Sequence, residues 1–353
     1  MIRVLIVDDS ALVRQVLTTL LSADPQLEVV GTAADPFEAR DKLRALRPDV
    51  MTLDVEMPRM DGLTFLRNVM RAWPTPVVMV SSLTERGADV TMAALEAGAI
   101  DFIAKPKLDV ARGLEQQAAA LIARVKAAAR ANLGARSGTI TAPLPQRPPP
   151  LAGRPSERLI ALGASTGGTE AVAAVLRALP AEAPGVVIAQ HIPPVFSERW
   201  AKRLRDTTAL EAREAADGDV VMVGHAYVAP GGQHLRLERS ARGWVCRLGV
   251  DEPVNGHRPS VDVLFDSVAR VVGPLAVAAL LTGMGTDGAL GLRQLRQRGC
   301  FTVAQNEASS VVWGMPGEAV RLGAATEVLP LEQIGRRLLE VSREHPGVLR
   351  PAG

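Results

Sequence analysis

Along the first part of the chain, short apolar runs alternate with amphipathic stretches of helical length. The runs at residues 3–7, 29–33, 50–53, 77–80 and 101–104 predict five strands. Strands separated by helices imply a parallel sheet covered on both faces. An Ala-rich run at residues 118–131 predicts a helix ending near Leu133. It gives way to Gly138-Thr-Ile-Thr-Ala-Pro-Leu-Pro-Gln-Arg-Pro-Pro-Pro150, a Pro-rich, acid-free segment that reads as a semi-rigid spacer up to about Ser156. Beyond it the strand–helix rhythm resumes at residues 159–162, 186–189, 277–281 and 301–305. Residues 220–248 differ: His234-Leu-Arg-Leu-Glu-Arg alternates with period two and Ser240-Ala-Arg-Gly supplies a turn, which predicts a small antiparallel insert. The expected architecture is α/β, with two doubly wound parallel-sheet domains. The first covers residues 1–121, a helical and Pro-rich linker covers 122–155, and the second, with its antiparallel insert, covers 156–345.

Composition narrows the class. A chain of 353 residues exceeds the ~250 at which single cores stop growing, in keeping with two domains. With 47% hydrophobic and 22% charged residues there is ample apolar surface to bury. The net charge of +2 arises in residues 122–155, which carry basic residues and no acidic one. Neither large part therefore has the concentrated basic face that phosphate-backbone binding requires, and nucleic acid is not an expected partner. The apolar start is cut short by Asp8-Asp9, and the longest apolar stretch, residues 271–281, contains Gly273-Pro274 and falls short of the ~20 residues of a membrane span. No membrane insertion and a cytoplasmic location are expected. Cys246 and Cys300 suit neither a disulfide framework nor a zinc site and read as small buried side chains.

In the first domain Asp8 and Asp9 follow the first strand, Asp54 the third, Ser81 the fourth and Lys105 the fifth. All lie at carboxyl ends, where ligands sit in open α/β sheets. Asp-Asp after a strand is also a common helix cap. Three crowded carboxylates repel one another, and a hard divalent cation relieves that, so magnesium is implied. An aspartyl oxygen then becomes usable as a nucleophile toward a phosphoryl donor, with Ser81 and Lys105 on the phosphoryl oxygens. Val7-Asp-Asp, Leu53-Asp-Val-Glu-Met-Pro-Arg-Met-Asp-Gly62, Ser81 and Phe102-Ile-Ala-Lys-Pro106 together resemble the receiver domain of two-component response regulators. The resemblance implies that Asp54 takes a phosphoryl group from a histidine kinase. It also implies that Asp9, Asp54 and the carbonyl of Glu56 hold magnesium with Asp8 nearby, and that Ser81, Phe102 and Lys105 form the switch, Phe102 turning inward as Ser81 moves to the phosphoryl group.

In the second domain Arg158-Leu-Ile-Ala-Leu-Gly-Ala-Ser-Thr-Gly-Gly-Thr-Glu170 reads as a strand, a Gly-flanked turn and a helix start. A dinucleotide site would need G-x-G-x-x-G spacing and an acidic residue ending the second strand, whereas that strand ends in Gln190-His191. The alternative sets Ser165 on a sharp turn at a helix N-terminus, with His191 as its base. Asp287, in Leu281-Thr-Gly-Met-Gly-Thr-Asp-Gly288, reaches the same sheet edge as an orienting carboxylate, and the Met284 N–H is the candidate oxyanion donor. The Ser, His, Asp order differs from that of α/β-hydrolases. His225 and His234 read as structural, while His257 and Arg258 are candidate substrate contacts.

Gly163-Ala-Ser-Thr-Gly-Gly-Thr-Glu170, Gln190-His191-Ile-Pro-Pro194, His225-Ala-Tyr-Val-Ala-Pro-Gly231, His257-Arg-Pro-Ser-Val-Asp262, Gly283-Met-Gly-Thr-Asp-Gly288 and Gln305-Asn-Glu-Ala-Ser-Ser310 resemble the catalytic domain of the CheB family of chemotaxis protein-glutamate methylesterases. The resemblance implies glutamate γ-methyl esters on methyl-accepting chemotaxis receptors as substrates, with deamidation of receptor glutamines by many members. Ser165 matches the nucleophile, His191 the base, Asp287 the orienter, and Thr166 and Met284 adjacent site positions. No cofactor is expected for the esterase chemistry. Thr286 departs from the pattern, where Asn is frequent. A rival DNA-binding output would be a smaller basic unit, and a nucleotide-dependent oxidoreductase would use the Gly163 loop.

Overall fold

The computed structural model describes residues 1–82, 85–105, 114, 117–136 and 154–344. Pro106, the Pro-rich segment at 138–150 and His345 lie outside the described residues. The chain divides into two compact units, Met1–Ser137 and Gly138–Gly353.

The first unit is built on β1 (Ile2–Val7), β2 (Leu27–Ala33), β3 (Val50–Asp54), β4 (Val77–Ser82) and β5 (Asp101–Lys105). They form one parallel sheet in the order β2-β1-β3-β4-β5. β3 is buried along its whole length, as a parallel strand covered on both faces must be. The helices are α1 (Ala11–Ser22), α2 (Pro36–Leu46), α3 (Gly62–Ala72), α4 (Glu85–Ala97) and α5 (Ala118–Ala129). Ser10 caps α1 by accepting from the Val13 N–H, which leaves Asp8 and Asp9 in the short connection from β1. Helix α5 buries Leu121, Val125 and Ala128, and this packing carries the first unit past the expected limit at 121. It stops at Ala129, short of the expected end near Leu133, because Asn132 and Gly134 are poor helix formers; Leu133–Arg136 form a short 3-10 turn.

Among the described residues the second unit contains the four expected strands and five others. They are β6 (Leu159–Ala164), β7 (Gly185–Gln190), β8 (Glu211–Glu214), β9 (His225–Val228), β10 (His234–Ser240), β11 (Gly243–Gly249), β12 (Ala276–Leu280), β13 (Phe301–Gln305) and β14 (Glu327–Leu329). Seven of them make a parallel sheet in the order β14-β13-β12-β6-β7-β9-β8. The antiparallel insert is narrower than the expected residues 220–248. Only β10 and β11 form the hairpin, and Val220 bridges Val245 beside it. β9 instead runs parallel between β7 and β8, because Ala226, Tyr227 and Val228 fill the main sheet rather than one face of the hairpin.

The helices of this unit are α6 (Gly168–Arg177), α7 (Pro194–Thr207), α8 (Val261–Val271), α9 (Ala289–Gln297), α10 (Met315–Arg321) and α11 (Leu331–Arg343). Leu235, Leu237, Trp244 and Cys246 of the hairpin share a core with Val261, Leu264 and Phe265 of α8. That packing fixes the start of α8 relative to the sheet edge. Cys246 and Cys300 are both buried and unpaired. Among the described residues no helix is long and apolar enough to cross a membrane.

Candidate active site

Three neighbouring strands of the large sheet, β12, β6 and β7, deliver the sequence-predicted residues to one edge. Ser165 directly follows β6, His191 follows β7, and Asp287 sits on the loop after β12. Ser165 does not cap α6. The cap is Gly167, at φ 76°, where an added Cβ would lie 2.7 Å from the Cβ of Val311. The Ser165 backbone is tied down on both sides: its N–H donates to the Thr282 carbonyl at 3.0 Å, and its carbonyl accepts from Gly168 N at 2.7 Å and Gln190 Nε2 at 2.8 Å. Its hydroxyl meets His191.

The Ser165 hydroxyl lies 3.1 Å from His191 Nδ1, and His191 Nε2 lies 2.8 Å from Asp287 Oδ2. A carboxylate only accepts, so Nε2 carries the proton and Nδ1 presents its lone pair to the serine O–H. The ring is used in the opposite sense from the chymotrypsin arrangement, in which Nε2 faces the nucleophile. Which nitrogen faces which partner is not written in the sequence.

Asp287 is buried, yet each of its oxygens is satisfied. Oδ2 accepts from His191 and from Val261 N at 2.7 Å. Oδ1 accepts from Ser260 Oγ at 2.8 Å, Asn255 Nδ2 at 2.8 Å and Asp262 N at 3.3 Å. The carboxylate thus occupies the N-terminus of α8, where exposed N–H groups and the helix dipole favour negative charge. Burial opposes ionisation, but His191, Asn255 and the Val261 N–H outweigh it and hold the carboxyl well below its ordinary range. Ser260, the N-cap of α8, and Asn255 are partners of Asp287 that the sequence did not single out; the pair Asn255-Gly256, a turn signal, was the available clue. Thr286 is exposed and contributes none of these bonds, so the departure at that position leaves Asp287 anchored.

The loop holding Asp287 runs against the nucleophile, since a Cβ on Gly283 would lie 2.8 Å from Ser165 Cβ. The Met284 N–H, one residue beyond Gly283, makes no hydrogen bond among the described residues. Thr166 is buried, its carbonyl accepting from Thr282 Oγ1 at 3.0 Å. The other histidines divide by role. His225 Nδ1 lies 2.9 Å from the Val223 carbonyl, and the fully buried His234 bridges the Glu252 carbonyl at 3.1 Å and the Ser260 N–H at 3.2 Å, both as structural residues. Arg258 donates to the carbonyls of Val250 and Asp251, pinning its own loop. His257 stacks on His191 with ring centroids 3.6 Å apart.

In the first unit Asp8 and Asp54 are buried, Asp9 is exposed, and one oxygen of each lies within 4.8 Å of the others. Lys105 Nζ sits 2.8 Å from both Asp8 Oδ2 and Asp54 Oδ2. Burial, helped by the Asp8 charge, pushes Asp54 up to about 6 against the pull of Lys105. Burial raises Asp8 too, again opposed by Lys105. The N–H of Glu56 reaches Asp54 Oδ1 at 3.3 Å. Ser81 is fully buried beside the pocket edge. Phe102 is buried, with the Arg124 guanidinium over its ring.

Fold and site together define a hydrolase of the α/β class carrying a separate acidic pocket suited to phosphoryl chemistry. Residues 4–113 match the response regulator receiver domain, and residues 160–338 match CheB methylesterase. The protein-glutamate methylesterase/protein-glutamine glutaminase 1 of Xanthomonas campestris pv. campestris is 57% identical over 350 residues, covering 97% of this chain and 98% of that protein. Protein-glutamate methylesterase/protein-glutamine glutaminase 2 of Pseudomonas aeruginosa is 55% identical over 339 residues, 96% of each. The crystal structure of the Thermotoga maritima CheB methylesterase catalytic domain superposes with a TM-score of 0.51 at 34% identity, covering 52% of this chain and 98% of that one. The chain belongs to the CheB methylesterase family, with a response regulator receiver domain ahead of the esterase unit.

Proposed function

We propose that this chain is a phosphorylation-activated serine esterase that hydrolyses glutamate γ-methyl esters on methyl-accepting chemotaxis receptors in the cytoplasm, and so acts in chemotaxis adaptation. The observation that carries the reading is the unbroken hydrogen-bond chain from the Ser165 hydroxyl through His191 to Asp287. Ser165 Oγ attacks the side-chain ester carbonyl while His191 Nδ1 takes its proton. The imidazolium keeps its Nε2–H on Asp287, whose charge offsets the new positive ring. The Met284 N–H, which makes no hydrogen bond among the described residues, is the proposed donor to the oxyanion, a kind of contact worth ~10²- to 10³-fold in rate. His191 then returns the proton to the departing methoxide, and water repeats the cycle on the acyl-enzyme. A receptor glutamine offers the same carbonyl with ammonia as leaving group, which supports a deamidase activity at the same site.

The proposed organisation is a receiver, a spacer and an esterase unit, with a histidine kinase as phosphodonor. Three carboxylate oxygens within 4.8 Å, two from buried residues, form a hard-oxygen donor set that fits magnesium. Asp9, Asp54 and the Glu56 carbonyl would hold the ion with Asp8 beside them, and when bound it supplies charge compensation between carboxylate and phosphoryl donor. Asp54 is the phosphoacceptor, Lys105 holds a phosphoryl oxygen, and Ser81 and Phe102 transmit the change by repacking.

The decisive test is methanol release from methylated receptor membranes. Ser165→Ala abolishes it on this reading; a variant that keeps a near-wild-type rate would remove Ser165 from the chemistry.

A further inference from the structure

Residues Val254–His257 form a two-residue hairpin turn. Val254 N donates to the His257 carbonyl at 3.1 Å, and His257 N returns a bond to the Val254 carbonyl at 3.0 Å. Asn255 at φ 54° and Gly256 at φ 76° give the left-handed pair that this turn requires. The turn is held from outside by Arg258 on the carbonyls of Val250 and Asp251, and by buried His234 on that of Glu252. Its two ends project into the site: His257 stacks on His191, and Asn255 Nδ2 reaches Asp287 Oδ1 at 2.8 Å and Asp262 Oδ2 at 2.8 Å.

The chemistry of that last contact is specific. Two carboxylates, Asp287 and Asp262, face one another at the start of α8, and the atom between them must donate to both. A carboxamide nitrogen has two hydrogens for the purpose, which also fixes the orientation of the Asn255 amide. Asp262 is otherwise engaged by the Gly291 N–H at 2.6 Å. Burial raises the Asp262 carboxyl, the Asp287 charge adds to this, and Asn255 opposes it.

We infer that Asn255 is a positioning residue for the esterase reaction, acting through Asp287: its amide bridges Asp287 and Asp262, fixes the carboxylate that orients His191, and takes up part of that carboxylate's charge. The inference rests on the reading of Ser165 as nucleophile. Among the described residues the titratable groups facing this pair are His191 from the end of β7, Asp262 from the first turn of α8, and His257 from the turn itself, stacked on His191.

The test uses the full-length protein and a fluorophosphonate probe, whose rate of attachment to Ser165 reports nucleophile activation without any receptor. Asn255→Asp keeps the shape and tolerates the left-handed backbone, but replaces a double donor by a third acceptor. Asn255→Gly keeps the turn and deletes the amide. We expect labelling at pH 7 to fall about 10- to 100-fold in Asn255→Asp, and by a smaller factor in Asn255→Gly, the size expected for a hydrogen bond to a charged partner. The acid limb of the rate profile should move to higher pH in both, because Asp287 charge released from Asn255 favours protonated His191. A role confined to supporting the turn would lower the amplitude without moving the limb, and that result, or wild-type labelling by both variants, overturns the inference. If Asn255→Asp does not fold, judged by its thermal midpoint, Asn255→Gly decides alone by the same two readouts. Absence of labelling at Ser165 in the wild type would instead strike the esterase reading.

Discussion

Replacing Asp287 by Asn removes one charge and turns one acceptor into a donor at a place that holds only donors. If the new NH₂ occupies the Oδ2 position it faces His191 Nε2–H and the Val261 N–H; at Oδ1 it faces Ser260, Asn255 and Asp262. The lesser conflict is at Oδ2, because His191 can relieve its share by moving its proton to Nδ1. That tautomer aims an N–H at Ser165 and ends the use of the ring as a base. The expected fall in kcat for methanol release is about 10⁴-fold, as for loss of tautomer control in serine proteases. The Val261 N–H stays unsatisfied, which destabilises by about 1–3 kcal/mol, or roughly 2–4 °C per kcal/mol in a unit of this size.

The pH dependence adds a sign. The Asp287 carboxyl ionises below its ordinary range in the folded protein, so its stabilisation is complete above the unfolded carboxylate value of about 3.9 and is lost as pH falls toward the folded value. Urea midpoints of wild type and Asp287→Asn should draw together as pH falls below about 4, where the wild-type carboxylate loses its charge. A variant within tenfold of the wild-type rate, or a midpoint difference that widens below about pH 4, would refute the account of Asp287.

Two further outcomes follow from other contacts. Gly283→Ala places a methyl 2.3 Å from Met315 Sδ, 2.8 Å from Ser165 Cβ and 3.1 Å from Ser165 N; the flexible thioether can swing away, but the contacts with Ser165 are relieved only by shifting the nucleophile, so kcat should drop about 100-fold, with KM for methylated receptor nearly unchanged. A small phosphodonor with magnesium should raise esterase activity in wild type but not in Asp54→Ala, and chelation should remove the stimulation while leaving the basal rate; equal stimulation of both proteins contradicts the assignment of Asp54.

Much of this site was legible before any coordinates, for a simple reason. In a parallel α/β sheet the residue after each strand arrives at one common edge, so locating the strands by their apolar runs also located Asp8, Asp54, Ser165 and His191. What escaped the sequence depended on partners far along the chain. β8 and β14 are four and three residues long, too short for a periodic signal, and exist because the sheet edges accept them. β9 reads as well for a hairpin as for a parallel strand until α7 carries the chain over to the far side of β7. Asn255 and Ser260 serve Asp287 across about thirty residues of chain, a pairing that no local spacing encodes.

Ser165, His191 and Asp287 descend from β6, β7 and β12, which lie side by side with β6 in the middle. Their order along the chain is therefore an accident of how loops were threaded, since any connectivity that preserved this trio of neighbours would assemble the same reactive cluster. Sequence order alone is then a poor guide to kinship among serine hydrolases, and the adjacency of the contributing strands is the property to compare.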